Sequence, residues 1–384
     1  MLTSLKPLLE LAIKYNFAYG AFNVNSVAQV EGAIRMHEIF RSPALLQGAE
    51  LANAFMGGRT DFMNGTLEEK KAGMKNLVEA VRRYGEDSPV PVVLHLDHGQ
   101  TFESCQAAID AGYTSVMIDG SSKPFEENME LTREVVKYAH ARGVSVEGEL
   151  GVLAGEEDHV FSENSTYTHP LDAVRFVKAT EVDALAISYG TSHGAVKGKN
   201  VKLRKEIAIA VNECLAHERL FCGLVSHGSS NVPAEVVAEI NALGGQIGES
   251  HGIPIPQLKE VIQIGGIRKI NVDTDIRLAT TRNIRELFRR RPELLAVAEL
   301  AEIHRLLLEK PAAFDPRAYL TPVMDMVMSG RVPGAEMQSL AEAIKDAVME
   351  VTGKMIVEFG SYHMAPLVKA RSLAELKAEY GAAR

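Results

Sequence analysis

The chain of 384 residues is 46% hydrophobic and 24% charged, which is the balance of a globular protein with a sizeable core. Its 41 basic and 50 acidic residues give a net charge of −9, which argues against a nucleic-acid partner. The three cysteines show no CxxC spacing, and no apolar run approaches the roughly 18 residues of a membrane span. The N-terminus lacks the pattern of a secretory signal. We therefore expect a cytoplasmic protein with no membrane partner.

Up to about residue 290, a short apolar run, a polar or glycine-rich elbow and an amphipathic stretch recur along the chain. The runs are nearly continuously apolar, as expected for strands that are buried on both faces. We count eight of them, at 18–24, 44–49, 90–97, 115–119, 145–151, 184–190, 222–228 and 267–275. Helical spacing lies between them, at 26–39, 67–81, 124–141, 171–179 and 233–243.

This alternation predicts a (β/α)8 TIM barrel with a helical C-terminal extension. The alternative is a doubly wound open sheet, although no GxGxxG motif follows the first strand. After residue 290 the pattern changes to two amphipathic helices, at 291–311 and 336–359, with proline- and glycine-marked turns between them. We therefore expect a barrel over 1–290 and, over 291–384, a helical appendage packed on it that is not an independent domain.

Three histidines stand where predicted strands end, and each is followed directly by glycine: His98, His193 and His227. The active site of such a barrel is built at the C-terminal ends of its strands, so these side chains should converge. Three imidazoles with an open fourth position are a common arrangement for catalytic zinc. The histidines on predicted helices are expected to be structural instead; they are His37, His140, His217 and His304.

Acidic residues surround the same strand ends. Asp97 directly precedes His98, which suits a general acid/base, although a carboxylate that orients an imidazole is the alternative. Glu147 and Glu149 share one side of their strand, and Glu149 is nearer the tip and could ligate metal. The acidic cluster at 156–158 is either simply solvated or a mobile proton carrier.

The last two predicted strands lead into elbows that suit a phosphate group. The segment HGSSNVP supplies small residues, including Gly228 and Ser230, whose N–H and hydroxyl groups can bind an anion ahead of a helix. Asn271–Thr274 follow the eighth strand, and phosphate sites in these barrels lie after strands seven and eight. These two elbows are our candidate phosphate site.

The motifs LHLDHG, MIDGSS, VEGELGVLAGEED, ISYGTSHGAVKG, LVSHGSSNVP and INVDTD resemble, in order and spacing, those of class II, metal-dependent fructose-1,6-bisphosphate aldolases. The resemblance covers roughly residues 1–290 and the DPRAYL segment. It implies a lyase of glycolysis and gluconeogenesis that reversibly cleaves a phosphorylated ketose into dihydroxyacetone phosphate and an aldehyde. It also implies a divalent metal, usually zinc, leaves room for a monovalent cation, and suggests a homodimer or homotetramer. No lysine is placed in the sequence for a Schiff base, so a Lewis acid must polarise the substrate.

Carried over by position, the resemblance assigns roles to individual residues. It makes Asp97 the proton donor to the C4 hydroxyl and Glu157 the group that handles the proton on the carbon next to the carbonyl. It matches Arg277 to an arginine that reaches the second phosphate across a subunit boundary. The implied metal ligands are His98, His193 and His227, with Asp119 and Glu149 for an alternative metal position. The implied substrate and phosphate binders are Asn23, Gly194, Gly228, Ser229, Ser230, Asn271, Val272, Asp273, Thr274 and Arg277.

Two features depart from the family pattern. Ala49 stands where the family commonly has a serine that contacts the substrate phosphate, and the tail over 291–350 is longer than expected. The alternative within the class is cleavage of tagatose 1,6-bisphosphate, the C4 epimer. A metal-dependent hydrolase on the same barrel should show His-x-His at the end of the first strand, where this chain has FNVNS. A non-catalytic partner subunit would need neither Asp97 nor Glu157, and both are present.

Overall fold

The structure is a computed structural model, and it describes most of the chain. The described residues are 2–152, 155–157, 160–162, 166–192 and 203–382, with only the backbone described over 155–157 and 160–162. Within them, no helix is both long enough and apolar enough to cross a membrane.

Eight parallel strands close into a barrel, in the order β1-β10-β9-β8-β5-β4-β3-β2, which confirms the predicted TIM barrel and excludes the open sheet. Two further strands, β6 and β7, form a separate antiparallel hairpin, which includes part of the acidic cluster noted in the sequence. The strands are β1 (Tyr19–Asn23), β2 (Ala44–Ala49), β3 (Val92–Gly99), β4 (Ser115–Ile118), β5 (Ser145–Leu150), β6 (Gly155–Glu157), β7 (Val160–Ser162), β8 (Ala184–Ile187), β9 (Gly223–Ser226) and β10 (Ile267–Val272).

The helices surround the barrel and continue beyond it. Ser26 caps α2 by accepting a hydrogen bond from the Gln29 N–H. The helices are α1 (Lys6–Tyr15), α2 (Val27–Phe40), α3 (Glu50–Met56), α4 (Leu67–Gly85), α5 (Phe102–Ala111), α6 (Phe125–His140), α7 (Pro170–Thr180), α8 (Lys205–His217), α9 (Ala234–Ala242), α10 (Ile255–Gln263), α11 (Thr274–Arg290), α12 (Ala298–Glu309), α13 (Met324–Ser329), α14 (Gly334–Phe359) and α15 (Leu373–Ala382).

Helix α1 closes the barrel end from which the strands start. Its leucines, such as Leu8 and Leu9, form one buried apolar cluster with the barrel residues Leu45 and Val93. Because residues two apart on a strand share a face, the same faces become polar further along, for example at Gln47, two residues after Leu45. The barrel interior is therefore apolar at one end and polar at the mouth, where a site can form.

The C-terminal segment is helical, and the described residues after 290 contain no strand, as predicted. The expectation of one helix over 291–311 is wrong, because a 3-10 turn (Pro292–Ala296) precedes α12. Val297 between them is extended, with φ −86° and ψ 124°, and Leu294 and Leu300 on its two sides are both fully buried. The break thus lets both leucines reach the core.

Candidate active site

Strand β3 places two adjacent side chains at the barrel mouth. Asp97 and His98 follow one another, so on a regular strand they would point to opposite faces. His98 instead has φ 50°, in the left-handed region, and the register between β3 and β4 shifts between Leu96 and Gly99. As a result, donor atoms of Asp97, His98 and His227 all lie within 4.8 Å of one another, and all three residues are buried.

The two imidazoles face each other through one nitrogen each. His98 Nε2 lies 3.0 Å from His227 Nδ1. On the far sides of the rings, His98 Nδ1 is 3.0 Å from Asp119 Oδ2, and His227 Nε2 is 2.8 Å from Glu147 Oε1. Carboxylates behind imidazoles are typical of metal sites, where they fix the ring tautomer and raise ligand basicity. The two facing nitrogens thus fit a divalent cation, and the Asp97 carboxylate lies close to both.

A second group of donor atoms shares His98. Donor atoms of His98, Asp119 and Glu149 also lie within 4.8 Å of one another. Burial disfavours charge on all three, but the Asp119 hydrogen bond and nearby carboxylates raise the pKa of His98 and the same contact lowers the pKa of Asp119. Burial and the Asp119 charge raise the pKa of Glu149 well above its ordinary value, as expected where buried carboxylates crowd together.

Asp97 is fully buried and is held by two amides. Asn23 Nδ2 donates to Asp97 Oδ2 and Asn271 Nδ2 donates to Oδ1, both at 3.0 Å. Gln47 Nε2 in turn donates to Asn23 Oδ1 at 2.6 Å. These contacts fix the orientation of the carboxylate next to the imidazole pair. An oriented carboxylate at this place can exchange a proton with a substrate hydroxyl.

Beneath this layer lies an ion pair that the sequence analysis missed. Lys269 Nζ is 3.0 Å from Glu147 Oε2 and 2.8 Å from Asn271 Oδ1, and both Lys269 and Glu147 are fully buried. Burial raises the pKa of Glu147, but the Lys269 charge and the His227 contact outweigh it and keep that pKa low. The sequence does carry a signal for this ion pair, because Lys269 lies within a run predicted to be a strand buried on both faces.

Hydrogen bonds fix the elbow after β9 to its surroundings. Gly228 has φ 60°, which favours glycine, and the Ser229 hydroxyl contacts the Ser226 hydroxyl at 2.6 Å and the His227 carbonyl at 3.2 Å. The Ser229 side chain is therefore already engaged, which leaves its backbone N–H for a ligand. Ser230 is buried at the same elbow, and its carbonyl accepts from the Ile253 N–H.

The elbow after β10 joins the previous one through Asp275, another residue that the sequence analysis did not single out. The two Asp275 oxygens accept from the Asn231 N–H at 3.0 Å and the Val232 N–H at 2.7 Å. The Val272 side chain packs in the hydrophobic core, so only its backbone can meet a substrate. Thr274 begins α11, so this helix N-terminus opens next to the elbow.

Arg277 is oriented by two carboxylates of its own chain. Its Nε donates to Asp273 Oδ1 at 2.8 Å, and its Nη1 donates to Asp315 Oδ2 at 3.1 Å. Asp315 also binds the buried Arg317 of the DPRAYL segment. This cluster brings the segment 315–320 against the β10 elbow.

Three of the candidate residues cannot be compared with this geometry. His193 and Gly194 lie outside the described residues. Glu157 is the last residue of β6, where the backbone alone is described. The structure brings together the remaining metal, acid and elbow candidates at one barrel mouth, contributed by β1, β3, β4, β5, β9 and β10 and the segments that follow them.

The chain is similar to known proteins over nearly its whole length. The family model described as fructose-bisphosphate aldolase class-II matches residues 3–360. A fructose-bisphosphate aldolase of Giardia intestinalis is 39% identical over 380 residues, covering 99% of each chain. One of Treponema pallidum is 39% identical over 341 residues, covering 84% of this chain and 92% of the relative.

Solved structures share the fold at lower sequence identity. The fructose-bisphosphate aldolase of Campylobacter jejuni has a TM-score of 0.66 at 18% identity, covering 94% of this chain and 96% of that one. A putative fructose-1,6-biphosphate aldolase of Coccidioides immitis has a TM-score of 0.65 at 24% identity, covering 94% and 97%. At these identities the two structures support the fold alone.

Proposed function

The chain belongs to the class-II fructose-bisphosphate aldolase family of aldehyde-lyases, and from this premise we propose that it reversibly cleaves fructose 1,6-bisphosphate to dihydroxyacetone phosphate and glyceraldehyde 3-phosphate. The observation that carries the proposal is the convergence of Asp97, His98 and His227, whose donor atoms lie within 4.8 Å of one another. Such a reaction would serve glycolysis and gluconeogenesis.

The family is generally metal-dependent, and we assign zinc to this chain. His98 and His227 would hold the ion through the nitrogens that face each other, with His193 as the third imidazole. Asp119 and Glu149, grouped with His98, would serve the alternative position. When bound, the cation polarises the ketose carbonyl and stabilises the negative charge that the cleaved bond leaves behind.

The chain's own acids would move the protons. In the cleavage direction, Asp97 accepts the proton of the C4 hydroxyl as the bond between C3 and C4 breaks, and it returns that proton in synthesis. The amides of Asn23 and Asn271 hold its two oxygens and so keep it aimed. We assign to Glu157 the delivery of a proton to the carbon next to the carbonyl, which completes dihydroxyacetone phosphate.

The two elbows would anchor the phosphate groups and so orient a short substrate. We assign one phosphate to the backbone of Gly194, Gly228 and Ser229, the Ser230 hydroxyl, and the elbow of Asn271–Thr274 with its Asp273. We propose that Arg277 reaches the second phosphate of a neighbouring subunit's substrate, within a homodimer or homotetramer. Asp273 and Asp315 fix the position of its guanidinium beside the β10 elbow.

A product assay tests the function directly. The purified protein is given fructose or tagatose 1,6-bisphosphate, each with and without a chelator, and dihydroxyacetone phosphate is followed with a coupled dehydrogenase. We expect cleavage of the fructose compound, its loss on chelation, and recovery with zinc. Full activity in the chelated protein, or a borohydride-trapped adduct on a lysine such as Lys269, would contradict the metal mechanism. Preference for the tagatose compound would change the substrate and leave the chemistry standing.

Ala49 gives a prediction about phosphate binding. It ends β2 beside Asp97 and caps α3 without a side-chain hydrogen bond. In Ala49→Ser, a new hydroxyl at the mouth could reach the phosphate, and a hydrogen bond to a charged group contributes about 1.5–3 kcal/mol. We expect KM for the bisphosphate to fall by at most about one to two orders of magnitude, with metal affinity unchanged.

Steady-state kinetics on the bisphosphate and on the unphosphorylated sugar check this expectation. Ala44→Ser, the same substitution at the other end of β2, is the matched control and should leave KM unchanged. If the wild-type protein prefers the unphosphorylated sugar, the fructose-bisphosphate assignment fails, and Ala49 marks a different substrate.

We further propose that residues 291–384 belong to the same folding unit as the barrel. Their buried residues, such as Leu300 and Ile344, lie in one apolar cluster with Ile284 of α11. We also propose a cytoplasmic location, which the three free cysteines support, since secreted proteins tend to pair them.

A further inference from the structure

Lys269 is a cation buried in the barrel, below the facing imidazoles. It has no solvent exposure, and its contacts are Glu147 Oε2 at 3.0 Å and Asn271 Oδ1 at 2.8 Å. Burying an ion pair rarely adds stability over a well-packed apolar pair of similar volume. Stability alone therefore does not explain a lysine at this place, and its effect on its neighbours is the more informative property.

The first neighbour is Asn271, whose amide could in principle be turned either way. An ammonium group has only donors, so the oxygen of Asn271 must face Lys269. The amide nitrogen then points the other way, where it lies 3.0 Å from Asp97 Oδ1 and 3.2 Å from His227 Nδ1. The Asp97 carboxylate can only accept, so Lys269 selects the amide orientation that serves Asp97.

The second neighbour is Glu147, which links Lys269 to His227. Lys269 occupies Glu147 Oε2, and Glu147 Oε1 lies 2.8 Å from His227 Nε2. The carboxylate accepts a hydrogen there, which places the imidazole proton on Nε2. His227 Nδ1 is then an acceptor, directed at the Asn271 amide and at His98 Nε2. Both paths from Lys269 thus end at the same nitrogen.

We propose that Lys269 is a positioning residue of the metal site: through Glu147 it fixes the His227 tautomer that presents Nδ1 to a cation, and through Asn271 it fixes the amide that orients Asp97. This role rests on the proposed function, because it takes His227 as a metal ligand. It assigns no direct contact between Lys269 and substrate.

Metal affinity tests the proposal without relying on the substrate. In Lys269→Met, a side chain of similar length loses the ion pair with Glu147 and the hydrogen bond to Asn271. Loss of an outer partner of a metal ligand typically weakens metal binding by about 10–100-fold, and we expect a change of that size in competition against a chelating dye. Lys345→Met is the matched control, since Lys345 pairs with Glu31 and Glu342 on the outer helices. It should bind zinc as the wild-type protein does.

A double-mutant cycle and a spectroscopic measurement separate positioning from general damage. Glu147→Gln keeps the size of the side chain, but its amide can donate or accept, so it no longer specifies the tautomer. Because both variants interrupt the path through Glu147, the double variant should bind zinc no more weakly than Lys269→Met alone. In 15N-histidine spectra of the metal-free protein, His227 should change from one tautomer to a mixture of tautomers in both single variants.

The outcomes are decisive in each case. The proposal is overturned if Lys269→Met folds and its zinc affinity is within about threefold of wild type. An unchanged His227 tautomer in that variant also overturns it. Losses that multiply in the double variant also overturn it, because Lys269 and Glu147 would then act independently. If Lys269→Met does not fold, Glu147→Gln decides, and unchanged zinc affinity there refutes the link to His227. Failure of the proposed function would show instead as absent cleavage, with these metal and tautomer effects intact.

Discussion

Replacing Asp97 with alanine should lower kcat for cleavage by about 10²–10⁴-fold while the protein keeps its metal, because a general acid/base typically contributes that much. The carboxylate lies among the donor atoms of His98 and His227, and two amides fix its orientation. In the proposed reaction, its removal takes away the proton acceptor at the C4 hydroxyl. The imidazoles remain supported by Asp119 and Glu147.

Single-turnover cleavage, metal content and thermal unfolding of the same preparations check this result. Asp97→Asn is the second variant, since it keeps the shape but cannot take up the proton. Asp172→Ala, on the exposed side of α7, is the control and should be fully active. Turnover within a few-fold of wild type would reduce Asp97 to a structural role. Metal loss in both variants would make it a ligand.

Acid should destabilise the fold through His37, which is the second large effect. His37 is 1% exposed, lies edge-to-face with Phe22, and has no hydrogen-bond partner for either ring nitrogen among the described residues. Burial lowers its pKa to about 3. An unfolded histidine titrates near pH 6.5, so between these values the unfolded chain binds a proton that the folded chain does not.

The sign of the effect follows from that difference. The stability contributed by neutral His37 is fully present above about pH 6.5 and is lost as the pH falls towards 3, at about 1.4 kcal/mol per pH unit. Because the unfolded histidine is already half protonated at pH 6.5, the loss between pH 6.5 and 4.5 should reach about 2 kcal/mol. Other groups titrate in the same window, so the measured quantity is the difference between variants.

Urea unfolding of the metal-free protein at pH 6.5 and pH 4.5, at one protein concentration, measures the loss of unfolding free energy in each variant. His37→Phe keeps a flat ring beside Phe22 and removes the titration, so it should lose about 2 kcal/mol less stability on acidification than wild type. His217→Gln, at an exposed helical histidine, is the control and should follow wild type. Equal acid sensitivity of His37→Phe and wild type would show that His37 does not carry the effect.

Apolar runs were enough to place all eight barrel strands, because a strand buried on both faces has little room for polar residues. They were less informative about where strands end. The run 184–190 continues past the end of β8 at Ile187, since burial extends beyond the paired residues. The hairpin of β6 and β7 was missed because its two strands, GEE and VFS, have three residues each and are too short to show a periodic pattern. The break at Val297 was hidden by helical spacing on both sides.

In the site, the sequence indicated the residue types at the strand ends but not the connections between them. Alternation alone would place His98 on the face opposite Asp97, and only its left-handed backbone brings both to the mouth. Such a conformation costs a non-glycine residue about 1–3 kcal/mol and leaves no trace in a single sequence. The contacts of Glu147 and Asp275 depend on chain segments that are distant in sequence, which no local pattern encodes.

The two amides that hold Asp97 come from β1 and β10, which are the first and last strands of the barrel and pair with each other to close it. During folding, a sheet in which all the strands are paired except β1 with β10 would still lack the simultaneous contact of both amides with the carboxylate. Contacts between the chain's distant parts are slow to form, because loop closure opposes them. Activity should therefore belong only to the closed ring: a refolding chain can collapse, form its helices and bury its leucines long before it becomes an enzyme.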